Sequence, residues 1–359
     1  MQNRIAVAMS GGVDSSTAAW LLQQEGHDLV GVMLKMFDGA LVNGSREDGR
    51  PPDGVEDARS VAGKLGIPFY VLDARAPFRS HVLDTFTSAY ERGLTPNPCV
   101  VCNRYVKFGF LLQQALESGR DKVATGHYAR LELDRGSGRW LLKKAAHPEK
   151  DQSYVLAGLN QEQLSRSLFP LGALSKEEVR SIAAQADLIN AKKGDSQDIC
   201  FIPDGDYVRF LHDYGGVTPQ PGDFVDETGR VLGRHRGLEC YTAGQRKGLG
   251  VSADRPLYVI SKNAENNTVL LGDNEELFSA ALLASRVNWI AGETPAEKVY
   301  CTAKTRYSQK ECGAVVTPLE GGCAHVELLT PQRAVTAGQA VVFYDGEEVL
   351  GGGTIEKAL

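Results

Sequence analysis

The chain has 359 residues, of which 42% are hydrophobic and 23% are charged, and its formal net charge is −6. This length predicts two or three domains, and this composition excludes a disordered or fibrous chain. The negative charge argues against nucleic-acid binding over the whole surface, although it leaves room for a local basic surface.

The first part of the chain alternates short apolar strands with helices. Residues 4–9 are predicted to form a buried strand, Asp14–Glu25 a helix and Leu29–Met36 a second strand. The next predicted elements are helix Val55–Leu65, strand Phe69–Asp73, helices Pro77–Arg92 and Arg104–Glu117, and strand Lys122–Thr125. Residues 38–54, rich in Gly, Pro and Asp, are predicted to be a surface loop. This alternation predicts a doubly wound parallel α/β domain over residues 1–205.

The pattern changes after residue 205. Asp206–Tyr214 is predicted to be one short helix, and closely spaced turn residues follow it. From about residue 282 onward, short apolar and polar steps alternate as in a small β-barrel. We therefore predict a small central domain over residues 206–280 and a C-terminal β-barrel over residues 281–359.

The N-terminus and the hydropathy pattern bear on location. A polar loop at residues 10–12 comes too early for a signal peptide, so we expect a cytoplasmic protein. No stretch approaches the roughly 18 uncharged apolar residues of a membrane span, and we expect no membrane partner.

Residues 10–16, Ser-Gly-Gly-Val-Asp-Ser-Ser, lie between the first predicted strand and the first helix. Glycines let the backbone approach an anion, and hydroxyls and the helix N-terminus add donors, so we predict a phosphate site. Asp14 is predicted to hold Mg²⁺ against the phosphate. The alternative is a Ser or Asp N-cap after a tight turn. Residues 248–253 match G-x-G-x-x-A without a following helix, which argues against a dinucleotide site there.

Three of the seven cysteines stand out. Cys99 and Cys102 form C-x-x-C, and Cys102 is predicted to lie just before a helix whose dipole favours a thiolate. Cys200 lies in residues 192–203, a predicted exposed loop whose lysines would lower a thiol pKa. A closed zinc site needs a second cysteine pair, which the chain lacks. The three cysteines therefore suit either a persulfide relay or a three-cysteine iron–sulfur cluster. The remaining cysteines, Cys240, Cys301, Cys312 and Cys323, are predicted to be small buried or edge residues.

The loop at residues 10–16 resembles the pyrophosphate loop of the N-type ATP pyrophosphatases, also called the PP-loop. These enzymes cleave ATP between the α and β phosphates and convert a carbonyl or carboxylate oxygen into an adenylate leaving group. The resemblance implies an ATP site and places the adenine at Leu34 and the ribose beside Gly126. The full implied set is Ala8, Met9, Ser10, Gly11, Gly12, Val13, Asp14, Ser15, Leu34 and Gly126.

Further motifs narrow the resemblance to one family. Thr-Pro-Asn-Pro before Cys99, Ala-Thr-Gly-His-Tyr-Ala-Arg at 124–130, Lys-Asp-Gln-Ser-Tyr at 150–154 and Tyr-Thr-x-Gly-Gln-Arg-Lys-Gly-Leu-Gly at 241–250 recur in one order. Over essentially the whole chain, they resemble the tRNA-specific 2-thiouridylases. Those enzymes replace the C2 oxygen of the wobble uridine with sulfur in tRNAs for lysine, glutamate and glutamine. The implied fold is a PP-loop domain, a small central domain and a C-terminal β-barrel.

The resemblance also implies roles for individual residues. Cys102 matches the family nucleophile, and Cys200 matches the cysteine that receives the persulfide. Many family members carry aspartate at the position of Cys99, and this departure favours a cluster. The positions that match target-base contacts are Asn97, Pro98 and Cys99. Those that match tRNA contacts or border the substrate are His127, Lys150, Asp151, Gln152, Arg306, Tyr307 and Gln339.

Two cationic stretches are compatible with an RNA substrate. Residues 228–247 contain five Arg or Lys residues against one glutamate, and Lys143, Lys144 and Lys150 form the second stretch. The preferred interpretation is a thiolase that uses ATP, Mg²⁺, the tRNA anticodon loop and a persulfide donor, with or without a four-iron four-sulfur cluster. The donor, a sulfur-relay protein or a cysteine desulfurase, and the oligomeric state remain open. The alternatives are another PP-loop synthetase and a non-catalytic RNA-binding iron–sulfur protein.

Overall fold

The computed structural model describes residues 2–38, 54–194 and 199–359. Most of the predicted loop at 38–54, and residues 195–198 of the predicted cysteine loop, lie outside the described residues. The helices are α1 Val13–Gln24, α2 Val55–Leu65, α3 Arg75–Phe78, α4 Asp84–Glu91, α5 Pro98–Cys102, α6 Leu111–Glu117, α7 Ser153–Leu156, α8 Gln161–Ser165, α9 Lys176–Gln185 and α10 Tyr207–Asp213. The strands are β1 Arg4–Ala8, β2 Asp28–Lys35, β3 Phe69–Asp73, β4 Lys122–Ala124, β5 Arg130–Asp134, β6 Arg139–Lys143, β7 Ser167–Leu168, β8 Gly222–Val225, β9 Val231–His235, β10 Tyr258–Asn263, β11 Thr268–Gly272, β12 Phe278–Trp289, β13 Val299–Lys304, β14 Cys312–Leu319, β15 Cys323–Arg333, β16 Ala340–Asp345 and β17 Glu348–Ala358.

The N-terminal part is a five-stranded parallel sheet in the order β3-β2-β1-β4-β7. The central strand β1 is apolar because both of its faces are covered, and it is buried at Ile5, Ala6 and Val7, whereas Tyr70 and Val71 in the edge strand β3 are exposed. This confirms the predicted doubly wound α/β domain. The carboxyl ends of β1, β2 and β4 meet at one edge, which is where ligands bind in open sheets of this kind.

Two predicted helix boundaries were wrong. The helix predicted over Pro77–Arg92 is divided into α3, a π-helical turn over Arg79–Leu83, and α4. The helix predicted from Arg104 begins six residues earlier at α5 and continues through π-helical turns at Asn103–Phe110 into α6. The early start has a local cause, because the Asn97 side chain caps the helix and Pro98 occupies the first position of its first turn.

The rest of the chain is mostly β-structure. Strands β8–β11 form a four-stranded sheet in the order β10-β11-β8-β9. Strands β12–β17 form a sheet that closes on itself where β12 pairs with β17, which confirms the predicted C-terminal barrel. The hairpin β5–β6, from the N-terminal part of the chain, adds to this sheet through Lys143 and Glu348. The predicted boundaries at 205 and 280 stay predictions. Among the described helices, none is long and apolar enough to cross a membrane.

Candidate nucleotide and cysteine site

The loop at residues 10–16 is the turn between β1 and α1. Gly11 has a φ of +72°, and a Cβ there would lie 2.4 Å from the carbonyl oxygen of Gly54, so a side chain does not fit. The N-cap of α1 is Gly12, and no side chain caps the helix. The alternative of a Ser or Asp N-cap is therefore wrong. The first N–H groups of α1 are without capping side chains, as an anion site at a helix N-terminus requires.

Two other segments meet this loop at the sheet edge. A Cβ on Gly126, which follows β4, would lie 2.7 Å from the Ser15 nitrogen and 2.8 Å from the Asp14 carbonyl carbon. Leu34, near the end of β2, packs against the apolar cluster that contains Cys102. The sheet thus brings together the positions implied for the phosphates, ribose and adenine. Their contacts with ATP stay predictions.

Asp14 is the centre of a charged network beside the loop. The Lys176 Nζ lies 2.7 and 2.9 Å from the two carboxylate oxygens of Asp14, and the Tyr128 hydroxyl donates to one of them at 2.7 Å. The Lys176 side chain is only 9% exposed, and the Asp14 side chain 33%. The carboxylate predicted to hold Mg²⁺ therefore already faces a buried ammonium group.

Lys176 was not among the residues predicted for this site. Ser175 caps α9, so Lys176 occupies the first turn of that helix, where the helix dipole disfavours a cation. The sequence did contain one signal for this contact, namely a lysine at the N-terminus of a helix. A cation in that position is unfavourable unless an anion lies nearby.

A second lysine also reaches the loop. The Lys193 Nζ lies 2.9 Å from the Gly11 carbonyl oxygen and 2.8 Å from an Asp57 carboxylate oxygen. The Asn190 Nδ2 donates to the Ser16 Oγ at 2.7 Å. The prediction that the lysines near residue 193 serve the Cys200 thiol missed this contact, because Lys193 is directed towards the phosphate loop.

Helix α5 carries the first two cysteines. The Asn97 Oδ1 accepts from the Cys99 nitrogen at 3.1 Å and from the Val100 nitrogen at 3.4 Å, and Pro98 opens the helix. Cys99 thus lies in the first turn, and Cys102 lies inside a continuous helical segment. The prediction that Cys102 immediately precedes a helix is wrong.

The thiols are not activated in this structure. Burial raises the pKa of Cys102 to about 11 and the pKa of Cys200 to about 12, and it also raises the pKa of Cys99. Cys99 and Cys200 expose part of their surface, whereas Cys102 is 7% exposed. The thiolate predicted for Cys102 is therefore wrong for this state, because burial outweighs the nearby positive charge of Lys107.

The electrostatic effects of these groups on one another's pKa values show that the three cysteines share one site. Cys99 and Cys102 both raise the pKa of Cys200, and Lys107 lowers the pKa of all three thiols. However, no three His, Cys, Asp or Glu side chains in the described parts of the chain are arranged to hold a metal ion. The three thiols therefore lie close enough to influence one another but do not form a ready cluster site.

Three of the implied tRNA contacts are engaged within the protein. The His127 Nδ1 lies 2.6 Å from the Thr125 hydroxyl, and burial lowers the pKa of this imidazole well below its usual value. The Asp151 carboxylate accepts from the Ser153 hydroxyl at 2.8 Å. The Gln152 side chain accepts from the Tyr128 nitrogen at 3.0 Å. Direct tRNA contact by these residues and by Lys150 stays a prediction.

The Arg306 guanidinium joins two domains. Its Nη2 donates to the carbonyl oxygens of Ala243 at 3.2 Å and Ala334 at 2.6 Å, and to the Thr336 hydroxyl at 2.6 Å. Sequence analysis assigned this residue to tRNA alone. The structure adds a tether between the barrel and the central domain.

Two further barrel residues hold the N-terminal part of the chain. The Gln339 Nε2 donates to the Thr95 carbonyl oxygen at 2.8 Å, just before the cysteine helix. The Tyr307 hydroxyl donates to the Asp151 carbonyl oxygen at 3.0 Å. Tyr307 is 44% exposed, and its pKa is raised by partial burial first, then by Asp151 and by the nearby Cys99. The barrel therefore forms one wall of the cysteine site.

The predicted cationic stretches are partly neutralised. Arg230 pairs with Asp226 at 3.0 Å and Arg234 with Asp223 at 3.4 Å, and both carboxylates precede the stretch in sequence. In the second stretch, the nearest nitrogen–oxygen distance between Lys144 and a Glu311 carboxylate is 2.6 Å, and Lys143 pairs with Glu132. The expected local charge was therefore too high, because it was counted along the sequence.

Comparison with known proteins identifies the domains of this chain and its family. Family models match residues 3–204 as a tRNA methyl transferase HUP domain, 208–273 as a tRNA methyl transferase PRC-barrel domain and 279–355 as an aminomethyltransferase β-barrel domain. The tRNA-specific 2-thiouridylase MnmA of Treponema denticola is 47% identical over 99% of this chain and 98% of its own length. The enzyme of the same name from Heliobacterium modesticaldum is 50% identical over 100% of this chain and 94% of its own.

The chain belongs to the tRNA-specific 2-thiouridylase family. Both relatives match over nearly their full length, so the family assignment includes the cysteine segments and the barrel. Among solved structures, the U34-tRNA thiolase NcsA from Methanococcus maripaludis, described with its [4Fe-4S] cluster, shares 20% identity. The structural alignment covers 59% of this chain and 67% of the NcsA chain. Its TM-score of 0.35 is too low to carry an argument about the site.

Proposed function

We propose that this 2-thiouridylase adenylates the C2 oxygen of the wobble uridine in tRNAs for lysine, glutamate and glutamine, and replaces that oxygen with sulfur. One observation carries the proposal. The phosphate loop, with Lys176 and Lys193 beside it, and the cysteine helix lie at the same edge of the parallel sheet. A uracil oxygen is a poor leaving group, so activation by ATP and delivery of sulfur must occur at one place.

ATP would place its phosphates on the loop at residues 10–16. The N-terminus of α1 and the two lysines supply positive potential, which favours pyrophosphate as it leaves. Asp14 is the carboxylate that would hold Mg²⁺, since Mg²⁺ in such sites takes one or two carboxylates together with phosphate oxygens. Bound Mg²⁺ would screen the phosphate charge. Lys176 would then leave Asp14 and pair with a phosphate oxygen. This exchange is short, because Lys176 already reaches the loop through Asp14.

Sulfur would arrive as a persulfide on Cys200, supplied by a sulfur-relay protein or a cysteine desulfurase. The terminal persulfide sulfur forms a bond to C2 of the adenylated uridine, and the C2–O bond breaks with AMP as the leaving group. The Cys102 thiolate then attacks the Cys200 sulfur, and the sulfur–sulfur bond to the substrate breaks. The products are 2-thiouridine and a Cys102–Cys200 disulfide, which an external thiol must reduce before the next turnover.

The raised pKa values constrain this sequence. With pKa values of about 11 and 12, Cys102 and Cys200 are protonated at neutral pH. Lys107 is the cation that already lowers both values, and it is the group placed to stabilise a thiolate.

An iron–sulfur mechanism makes a different demand. It needs Cys99, Cys102 and Cys200 as iron ligands together, and the described residues do not present them in that arrangement. Cys99 distinguishes the two mechanisms, because the persulfide scheme uses it only beside the target base.

The test is mass spectrometry of tRNA nucleosides after incubation with unmodified tRNA, ATP–Mg²⁺, a persulfide donor and the purified protein. We expect 2-thiouridine from the wild type and none from Cys102→Ser or Cys200→Ser. Cys323→Ser, in a barrel strand, is the matched control and should retain activity. Release of pyrophosphate that does not require tRNA, or 2-thiouridine formed by Cys200→Ser, would contradict the proposal.

A further inference from the structure

A cavity of about 470 Å³ lies on the opposite face of the cysteine helix, between the N-terminal domain and the barrel. Asn97, Val100, Val101 and Arg104 line it, and this spacing defines one helical face. Cys99 and Cys102 do not line it. The cavity is therefore separate from the thiols by about one helix diameter, roughly 10 Å. Its volume falls in the range of about 300–1,000 Å³ that is usual for ligand sites.

Three arginines from three different elements line this cavity, namely Arg92 after α4, Arg104 after α5 and Arg286 in β12. The Arg92 Nε donates to the Ser88 carbonyl oxygen, and the Arg286 Nη2 donates to the Thr354 hydroxyl. Within residues 2–38, 54–194 and 199–359, none of the three forms an ion pair with a carboxylate. Guanidinium groups without carboxylate partners around one opening favour an anionic ligand.

Two carboxylates, Asp84 and Glu356, also line the cavity, and each has a partner other than the three arginines. Asp84 accepts from the Tyr214 hydroxyl at 3.4 Å, with the Arg79 Nε 3.9 Å away, and Glu356 accepts from the Ser285 hydroxyl. Within the part of the chain that the structure describes, neither carboxylate forms an ion pair with any of the three arginines. The positive charge of the cavity therefore remains available to a ligand.

The barrel arginine is held in an unusual backbone conformation. Arg286 has a φ of +51°, and the pairing of β12 with β17 shifts register between Ser285 and Asn288. Bulges of this kind redirect a side chain, and here they place Arg286 on the cavity wall. A positive φ is costly for a non-glycine residue, so the surrounding strands must hold Arg286 in this conformation.

An exposed pair of stacked rings, Tyr105 and His81, lies at the wall of the cavity that Arg104 lines. Tyr105 lines the cavity, is 43% exposed and stacks on the His81 ring at 4.9 Å with an interplanar angle of 11°. The Arg104 guanidinium lies 5.3 Å from the Tyr105 ring centroid. Aromatic rings beside arginines are the usual platform for an unpaired base.

We propose that this cavity binds the phosphodiester backbone and one flanking nucleotide of the anticodon loop while the target uridine enters the thiol side. The proposal rests on the proposed function, since it takes tRNA as the substrate. Asn97 connects the cavity with the thiol side, because it lines the cavity and its side chain also caps the helix at Cys99 and Val100. A strand that crosses the N-terminus of this helix would therefore contact both. Arginines on three separate elements suit an extended polyanion rather than a compact one.

The test measures the salt dependence of binding of an unmodified anticodon stem–loop RNA to the full-length protein, by fluorescence anisotropy. Arg92→Gln combined with Arg286→Gln should lower the log–log salt slope by about 1.4, since each lost single-strand phosphate contact is worth about 0.7. Arg135→Gln, an exposed residue in the β5–β6 turn, is the matched control and should leave the slope unchanged. A double variant with the wild-type slope would overturn the proposal.

Tyr105→Leu provides a second measurement if the double variant does not fold. It should weaken stem–loop binding at least about fivefold, as loss of base stacking does, without changing the salt slope. Unchanged affinity would refute the stacking platform. Protection of Arg286 from phenylglyoxal by inorganic phosphate, but not by the stem–loop, would assign the cavity to a small anion instead. Failure of the wild type to form 2-thiouridine would refute the proposed function. The binding measurements would still decide whether the cavity binds the stem–loop RNA.

Discussion

The contact between Asp14 and Lys176 allows a quantitative test of the phosphate site. Lys176→Met removes the ammonium group but keeps most of the aliphatic volume, and Asp14→Asn removes the negative charge but keeps the shape. The double variant removes both charges. Together with the wild type, these three proteins form a double-mutant cycle.

The expected magnitude follows from burial. Removing one partner of a fully buried pair costs about 3–5 kcal/mol, whereas exposed pairs contribute about 0–1 kcal/mol. Lys176 is 9% exposed but Asp14 is 33% exposed, and the Tyr128 hydroxyl still donates to Asp14 after Lys176 is removed. We therefore expect Lys176→Met to cost about 2 kcal/mol of unfolding free energy and the cycle to give a coupling of about 1–2 kcal/mol.

The assay is urea unfolding followed by tryptophan fluorescence. Trp20 lies in α1, the helix that carries Asp14, so Trp140→Phe and Trp289→Phe give a background in which Trp20 alone reports. Binding of ATP–Mg²⁺ to the same proteins supplies the functional measurement. Lys176→Met should weaken it even though the variant retains Asp14.

Two results would refute the reasoning. A coupling energy below about 0.5 kcal/mol, the error of additivity, would mean that the pair does not interact in solution. Unchanged ATP affinity in folded Lys176→Met would remove this lysine from the nucleotide site, whatever its effect on stability.

Further predictions concern the loop, the thiols and the barrel. Asp14→Asn should fold but lose tRNA-dependent pyrophosphate release, and wild-type release would remove Asp14 from the mechanism. A pKa near 11 rather than 9 lowers the thiolate fraction of Cys102 at neutral pH about 100-fold, so iodoacetamide should label it slowly and faster as pH rises towards 11; rapid labelling at pH 7 by mass spectrometry would contradict the burial. Cys99→Ser should retain substantial thiolation in colourless, aerobically purified protein; loss of activity together with near-stoichiometric iron after anaerobic purification would favour the cluster. Arg306→Ala should lower the melting temperature and flatten the salt slope of tRNA binding by about one; an unchanged slope with a lower melting temperature would leave only its structural role.

Local patterns predicted the sheet well. The predicted strand Phe69–Asp73 and helix Val55–Leu65 agree with the structure to the residue. Their boundaries depend on apolar spacing and on Gly66, which are properties of neighbouring residues. Helix α5 was not predicted, because the helix was placed from Arg104 onward and the Asn97-Pro98 pair was not recognised as the start of a helix.

The features that prediction missed depend on contacts between distant residues. Lys176 meets Asp14 across 162 positions, so no local window connects them. The thiolate predicted for Cys102 failed because burial in a tertiary cluster outweighs a nearby cation. The cationic stretch was overestimated for the same reason, since Asp223 lies opposite Arg234 only after β8 and β9 pair.

The hairpin β5–β6 has a consequence for synthesis. It leaves the ribosome early, but its partner strand β17 begins at Glu348, and the two meet through Lys143. At roughly 5–20 residues per second, about 10–40 seconds pass between the two. For that interval, the hairpin presents an unpaired edge to other chains, which favours aggregation. A ribosome that stalls while it synthesises the barrel would therefore release a chain with a complete PP-loop domain and an unpaired strand edge that promotes aggregation. We expect chaperones to be needed most at this late stage of translation.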